Sequence, residues 1–346
     1  MYKIFFRRFL FLFPPEFAHN FSFVILRFVF SIPFVKYFFK KKYLVKNENL
    51  SKKVFGLKFS NPVGLAAGFD KNAKLYDHCD AFGFSFVEIG TVTPRTQIGN
   101  PKPRLFRLRK DNALINRMGF NNDGVKKICA RLKRKKTNVI IGGNIGKNKI
   151  TPFENSVQDY EICFEELFDY VDYFVLNVSS PNTPKLRELQ GKKELEKLII
   201  AVQKLNSKKI NPKPILIKIS PDLNDFQLDD VIDLVGTYDI SGIVATNSTN
   251  NRDNLTITKN KINKIGAGGL TGEPINSMST RTIKYIFTKS NGKIPLIAVG
   301  GIMSAEDALE KLEAGASLIQ LYTGFIYEGP SLVKSINKAI LKKISH

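Results

Sequence analysis

Tyr173-Phe-Val-Leu-Asn-Val-Ser-Ser-Pro-Asn-Thr-Pro184 starts as a short apolar run and stops in amide, hydroxyl and proline. Six residues rich in branched and aromatic side chains are too few for a helix and suit a strand buried on both faces. Seven more such runs recur, each stopping at a small or polar residue: Pro62–Ala67, Phe86–Gly90, Val139–Gly143, Pro214–Ile219, Gly242–Thr246, Pro295–Val299 and Leu318–Tyr322. Helical patterns separate most of them. Val157, Tyr160, Phe164, Leu167 and Val171 form one stripe. Ser304 with Asp307 predicts a capping box for a helix over Ala305–Ala314, with Gly315 at its C-cap. Eight strands alternating with helices over nearly 300 residues predict an α/β fold, a (β/α)8 TIM barrel spanning 54–346. An open doubly wound sheet would place a glycine fingerprint after its first strand, and no G-x-G-x-x-G occurs.

In such a barrel the active site lies where the strands end. Past each run stand Gly68-Phe69-Asp70-Lys71, Thr91, Asn144 and Asn177 through Asn182. Lys218, Thr246-Asn247-Ser248, Gly300-Gly301 and Tyr322-Thr323-Gly324 follow. Loops are polar anyway, so one such residue means little, but all eight strand ends share the pattern. Glycine after the last two strands suits a phosphate held by backbone N–H groups. Amides and hydroxyls suit a flat heterocycle with alternating carbonyl and N–H edges, and buried lysines suit an anion. No carboxylate cluster suggests magnesium, and no cysteine–histidine spacing suggests zinc. The combination points to a barrel that binds flavin mononucleotide (FMN) and no metal.

The 346 residues are 43% apolar and 24% charged, an ordinary globular balance. Cys79, Cys129 and Cys163 lie far apart, so no disulfide framework is expected and a reducing compartment is the default. The net charge is +22, from 53 Lys and Arg against 31 Asp and Glu. Much of it reads as lysine spread over the surface, part as attraction to an anionic membrane; nucleic acid is not an expected partner. Residues 1–40 form a separate unit, with 41–53 a polar linker. This unit carries 13 of the 28 phenylalanines and a single acid, Glu16. Its longest uncharged run, Phe17–Leu26, is half of what a spanning helix needs, about 20 residues. Two amphipathic helices are predicted, roughly 3–12 and 16–31. Phenylalanine beside lysine and arginine suits helices lying in a membrane interface, with Lys40-Lys41-Lys42 as a basic patch. A hairpin simply packed on the barrel is the plainer alternative.

Several longer motifs can be set against known families. They are Asn61-Pro-Val-Gly-Leu-Ala-Ala-Gly-Phe-Asp-Lys71, Glu88-Ile-Gly-Thr-Val-Thr-Pro-Arg95, Asn116-Arg-Met-Gly-Phe-Asn-Asn122, Asn177-Val-Ser-Ser-Pro-Asn-Thr-Pro184, Ala245-Thr-Asn247, Gly268-Gly-Leu-Thr-Gly272, Val299-Gly-Gly-Ile302 and Tyr322-Thr-Gly-Phe325. Together, from about residue 54 to 330, they resemble dihydroorotate dehydrogenase. The N-terminal unit, through Pro15-Glu16-Phe17-Ala18-His19, resembles its class 2, quinone-using, membrane-associated branch. The resemblance implies oxidation of (S)-dihydroorotate to orotate in pyrimidine synthesis, with FMN as hydride acceptor. Ubiquinone or menaquinone would be the final acceptor. The enzyme would be a monomer, peripheral on the cytoplasmic face of the cell membrane through residues 1–40.

Residue roles carry over position by position. Ser180 is the implied catalytic base, where the class 1 branch has cysteine; Ser179 is the neighbour to exclude. Lys71 is implied to face both flavin and substrate. Asn116, Arg117, Met118, Gly119 and Phe120 would form one wall of the substrate site, and Asn177, Asn182, Asn247 and Ser248 would bind the pyrimidine. Ala67, Gly68, Phe69, Asp70, Thr91, Asn144, Asn177 and Thr246 would contact FMN, with Lys218 near the flavin N1–C2 edge. Gly272, Gly301, Tyr322 and Thr323 would hold its phosphate. His19 is the candidate at the quinone site. Lys185, Ser248 and Gly143 depart from the family pattern, which commonly has glycine, threonine and a bulkier apolar residue there. A tRNA dihydrouridine synthase would need a cysteine at a strand end. A soluble class 1 enzyme would lack the apolar N-terminus. A degenerate barrel acting only as a binding module would lack Lys71, Ser180, Asn182 and Lys218.

Overall fold

Eight parallel strands close into a barrel, in the order β10-β12-β13-β3-β4-β7-β8-β9, in a computed structural model that describes residues 2–134, 137–253 and 255–345. In chain order the chain runs through α1 (Arg7–Leu10), α2 (Pro15–Ser31), α3 (Val35–Tyr43), β1 (Lys52–Val54), β2 (Leu57–Phe59), β3 (Val63–Leu65), β4 (Phe86–Val92), β5 (Leu105–Leu108) and β6 (Ala113–Asn116). Then come α4 (Val125–Leu132), β7 (Ile140–Ile145), α5 (Ser156–Leu167), β8 (Tyr173–Asn177), α6 (Lys192–Asn206), β9 (Ile215–Ile219), α7 (Asp225–Thr237), β10 (Gly242–Ala245) and α8 (Lys259–Ile265). β11 (Gly269–Gly272), α9 (Asn276–Lys289), β12 (Leu296–Val299), α10 (Ala305–Glu313), β13 (Leu318–Leu321), α11 (Thr323–Glu328) and α12 (Ser331–Ile344) complete it. All eight predicted runs supply the barrel strands, so the TIM barrel read from the sequence is the fold. The capping box forms as expected: Asp307 donates its backbone N–H to Ser304 Oγ, and Ser304 N–H donates back to Asp307 Oδ2.

Alternation along the strands sets the interior in layers. Phe86, Tyr173, Leu216 and Leu318 fill the lowest one, clustered with Phe59 and Val54. Two glycines make room: a Cβ on Gly64 would stand 2.4 Å from the Phe86 ring, and one on Gly142 2.2 Å from Tyr173. The floor is sealed by a hairpin that sequence reading missed, β1–β2, in which Val54 pairs with Leu57 around Phe55-Gly56. Both turn residues have positive φ, as a two-residue hairpin turn requires. This hairpin straddles the boundary drawn at residue 54. At the opposite mouth β5, β6 and β11 form a separate antiparallel sheet, also missed. Four-residue strands such as Leu105–Leu108 leave too little alternation to read.

The N-terminal unit has the two expected helical stretches, Tyr2–Leu10 and Pro15–Ser31, bent 119° from each other. Among the described residues no single helix is long and apolar enough to cross a membrane. Phe11, Ala18, Phe23 and Phe30 are buried against the barrel, each phenylalanine contributing about 2 kcal/mol. Ile4, Phe5, Phe6, Phe9, Leu12, Val24 and Phe28 are exposed. Where a linker was expected to begin at 41, the third helix, α3, runs to Tyr43. The basic patch is also less free than expected. Lys40 lies 2.5 Å from Asp80, and the Lys42 carbonyl accepts from Lys334.

Candidate active site

A cavity opens at the C-terminal ends of the strands, polar on the side of Lys71, Asn116, Asn177, Ser180 and Asn247 and bare backbone on the side of Gly272, Gly300 and Gly301. Nearly all the residues assigned from sequence line it. Ser180 (6% exposed) faces it with its Oγ 3.3 Å from the Asn182 backbone N–H. Ser179 is fully buried behind it, donating to Asn177 Oδ1 and accepting from Asn247 Nδ2 at 3.0 Å. Strand alternation separates the two hydroxyls as predicted.

An amide web holds the wall. Asn182 Nδ2 donates to Asn116 Oδ1 at 3.2 Å, and Asn177 Nδ2 to Thr91 Oγ1 at 2.7 Å. Lys71 Nζ donates to Asn121 Oδ1 at 2.5 Å. Burial and the nearby Arg104 guanidinium push the Lys71 amine down to about 7, against the pull of Glu16. Lys218 rises from the floor, with Nζ 3.8 Å from Glu88 Oε1. At the far end Gly272, Gly300 and Gly301 adopt positive φ, and a Cβ on Gly301 would meet Asn276 Cα at 2.3 Å. That leaves a cradle of bare backbone at the end assigned to phosphate. Gln320 Oε1 is buried without a partner among the described residues, and Gln320 lines the same cavity. Alternating donors and acceptors, two lysines and a glycine cradle fit a flavin nucleotide.

Four assigned residues stand off the cavity wall. Phe69 packs instead on His19, Phe23, Tyr322 and Phe325. Asp70 is buried and accepts the backbone N–H groups of Lys74 and Leu75, so it holds a turn. Arg117 lies over the Phe106 ring and donates to the Ile265 and Ala267 carbonyls. Asn144 sits one level down, bridging Thr91 Oγ1 to Glu88. Gln320 and Glu88 were missed as site residues. Their signal was a lone polar side chain inside an otherwise apolar strand.

His19 of α2 is half-buried, its ring 4.4 Å from that of Phe23 in a tilted pair and 5.3 Å from that of Phe69 edge to face. Burial, reinforced by Lys71, pushes its imidazole down to about 4, so it is neutral at physiological pH. Beside it Glu16 makes a two-pronged pair with Arg104, at 2.6 and 3.1 Å. Burial alone would raise the Glu16 carboxyl; the bonds and charge of Arg104 overcome it and hold it low. Arg104 also donates to the Asn100 carbonyl, and Asn100 Nδ2 donates to the Asn182 carbonyl. The N-terminal unit is thus tied to the loop that carries the catalytic candidates.

Comparison with known proteins agrees on one family. The family model described as dihydroorotate dehydrogenase matches residues 49–344. Dihydroorotate dehydrogenase (quinone) of Christiangramia forsetii is 57% identical, over 99% of each chain. That of Mycobacterium tuberculosis is 44% identical, covering 98% of this chain and 93% of the relative. A crystal structure of DHODH from Eimeria tenella in complex with ferulenol superposes with a TM-score of 0.83 at 35% identity, over 96% of this chain and 92% of that one.

Proposed function

The chain belongs to the dihydroorotate dehydrogenase family, and on that premise we propose how it oxidises (S)-dihydroorotate to orotate for pyrimidine biosynthesis with a quinone as final acceptor. The observation that carries the reading is the convergence of Lys71, Ser180, Asn182 and Lys218 on one cavity. FMN, when bound, supplies the hydride acceptor for C6 of the substrate. The Ser180 Oγ takes the C5 proton, leaving the C5–C6 double bond of orotate. A serine hydroxyl is a weak base, so it hands that proton on to water. Asn116, Asn177, Asn182 and Asn247 hold the pyrimidine edge, with Ser248 beside them, and Lys71 faces the carboxylate. Met118, Gly119 and Phe120 exclude water from one side. Ala67, Gly68, Thr91, Thr246 and Lys218 hold the isoalloxazine, while Gly272, Gly301, Tyr322 and Thr323 hold the phosphate.

The unit of residues 1–40 lies on the cytoplasmic face of the cell membrane and admits ubiquinone or menaquinone toward the flavin, in a monomeric enzyme. Its exposed phenylalanines and its cations support that placement. Neutral His19 offers the quinone carbonyl a hydrogen bond. Ser180→Ala tests the catalytic assignment: the variant should keep FMN and orotate but reduce its flavin with dihydroorotate about 10²–10⁴ times more slowly. An unchanged rate would remove Ser180 as the base.

A further inference from the structure

Directly below the cavity the barrel interior holds a single polar layer. Glu88, Asn144, Lys218 and Gln320 each lie two residues beyond a member of the lowest layer or its spacing glycine: Phe86, Gly142, Leu216 and Leu318. Glu88 is fully buried. One of its oxygens accepts Asn144 Nδ2 at 2.7 Å, the other Gln320 Nε2 at 2.6 Å, and Lys218 Nζ lies 3.8 Å from Oε1. Three donors from three strands thus converge on one carboxylate. Packing alone does not call for this, because an apolar group of the same size commonly serves a protein interior as well or better. Of this layer Lys218 and Gln320 reach the cavity, and Glu88 and Asn144 stay beneath it.

We infer that Glu88 is a positioning residue for Lys218: its carboxylate, fixed behind the ammonium, keeps that lysine charged and at the cavity floor, where it faces the edge of the flavin that gains negative charge on reduction. This rests on the FMN reading above. Burial pushes the Lys218 amine down, and Glu88 opposes it. The other ionisable side chain of the floor is Tyr173, whose phenol burial pushes well above its usual range, so it stays neutral. Asn144, Asn177, Gln320, Thr91 and Thr246 carry no charge, and Lys71 is the other cation lining the cavity. Without Glu88, Lys218 would be a buried ammonium whose carboxylate partner has gone, and such a group sheds its proton near physiological pH.

The test is the midpoint potential of the bound flavin, measured by dye equilibration from pH 6 to 9.5 in the wild type and in Glu88→Gln, Glu88→Asp and Lys218→Met. Any bend from Lys218 in the wild-type curve should lie at higher pH than the one in Glu88→Gln, because burial pushes the amine down and only Glu88 opposes it. The Glu88→Gln curve should cross that of the wild type. At low pH the variant has lost a negative charge while Lys218 stays protonated, so its potential is higher. Above the bend Lys218 is neutral, and the reduced-to-oxidised ratio at fixed potential falls about tenfold below the wild type, or about 30 mV for a two-electron couple. Lys218→Met should lack the bend, with or without Glu88→Gln. A Glu88→Gln curve parallel to the wild type, with only a lower melting temperature, would overturn the inference and leave Glu88 structural. Should Glu88→Gln not fold, Glu88→Asp, whose carboxylate sits farther from Lys218, should bend at lower pH than the wild type; superposition on the wild type would then overturn it. A wild-type protein purified without FMN would instead overturn the reading on which the inference rests.

Discussion

Lys71 and Ser180 are the residues to which we assign the chemistry, and their surroundings make each assignment testable. With its amine pushed down to about 7, the free site holds a half-charged lysine at neutral pH. An anion binds the charged form. Orotate affinity should therefore be level below pH 7 and fall about tenfold per unit above it, until the lysine of the complex also titrates. Orotate titrations of the flavin spectrum between pH 6 and 9 would check this, and Lys71→Met should flatten the curve. At this scale the sequence was most informative where a motif was long, as in Asn177–Pro184. It failed where a motif residue turned aside. Asp70 and Arg117 sit in matched motifs, yet one fastens a turn and the other props the loop around Ile265. A motif records that a residue matters, not which way its side chain points.

Elements were legible in proportion to how completely they are buried. The eight barrel strands carry nearly unbroken apolar runs, whereas every strand of the β1–β2 hairpin and the β5–β6–β11 sheet has half-buried or exposed positions. Helix α3 was hidden by Pro33 and by Phe34, which turns the chain through a positive φ before Val35. The departures from the family pattern also resolve here. Lys185, where glycine is common, has φ +57° and is exposed. Lys185→Gly should relieve that left-handed strain and stabilise the protein by about 0.5–1 kcal/mol, read as a higher denaturant midpoint. No gain would mean the loop already relaxes around the lysine. At Gly143 an added Cβ would stand 3.2 Å from the Val171 methyls, which would have to give by a few tenths of an ångström.

Across the whole molecule we propose that the barrel and the N-terminal unit divide the reaction between them. The barrel's cavity holds the pyrimidine and flavin residues, while the helical unit offers an apolar surface and reaches the site through Glu16, Arg104 and Asn100. Removal of residues 1–40 should leave FMN in place and dihydroorotate able to reduce it, but should abolish efficient quinone reduction and binding to anionic vesicles. Normal quinone kinetics in the truncated enzyme would place the quinone elsewhere. Composition hinted at this division through the crowding of phenylalanine. The Glu16–Arg104 pair joins residues 88 apart, and separation of that kind leaves no local pattern to read.

One chain passes electrons from dihydroorotate to a quinone, and we propose that it does so through a flavin held in the barrel. That proposal is tested most directly by sequential stopped-flow mixing of the full chain, anaerobically with dihydroorotate and then with a short-chain quinone, while flavin absorbance is followed. The account predicts bleaching in the first stage and recovery in the second. A flavin that dihydroorotate leaves oxidised would contradict it.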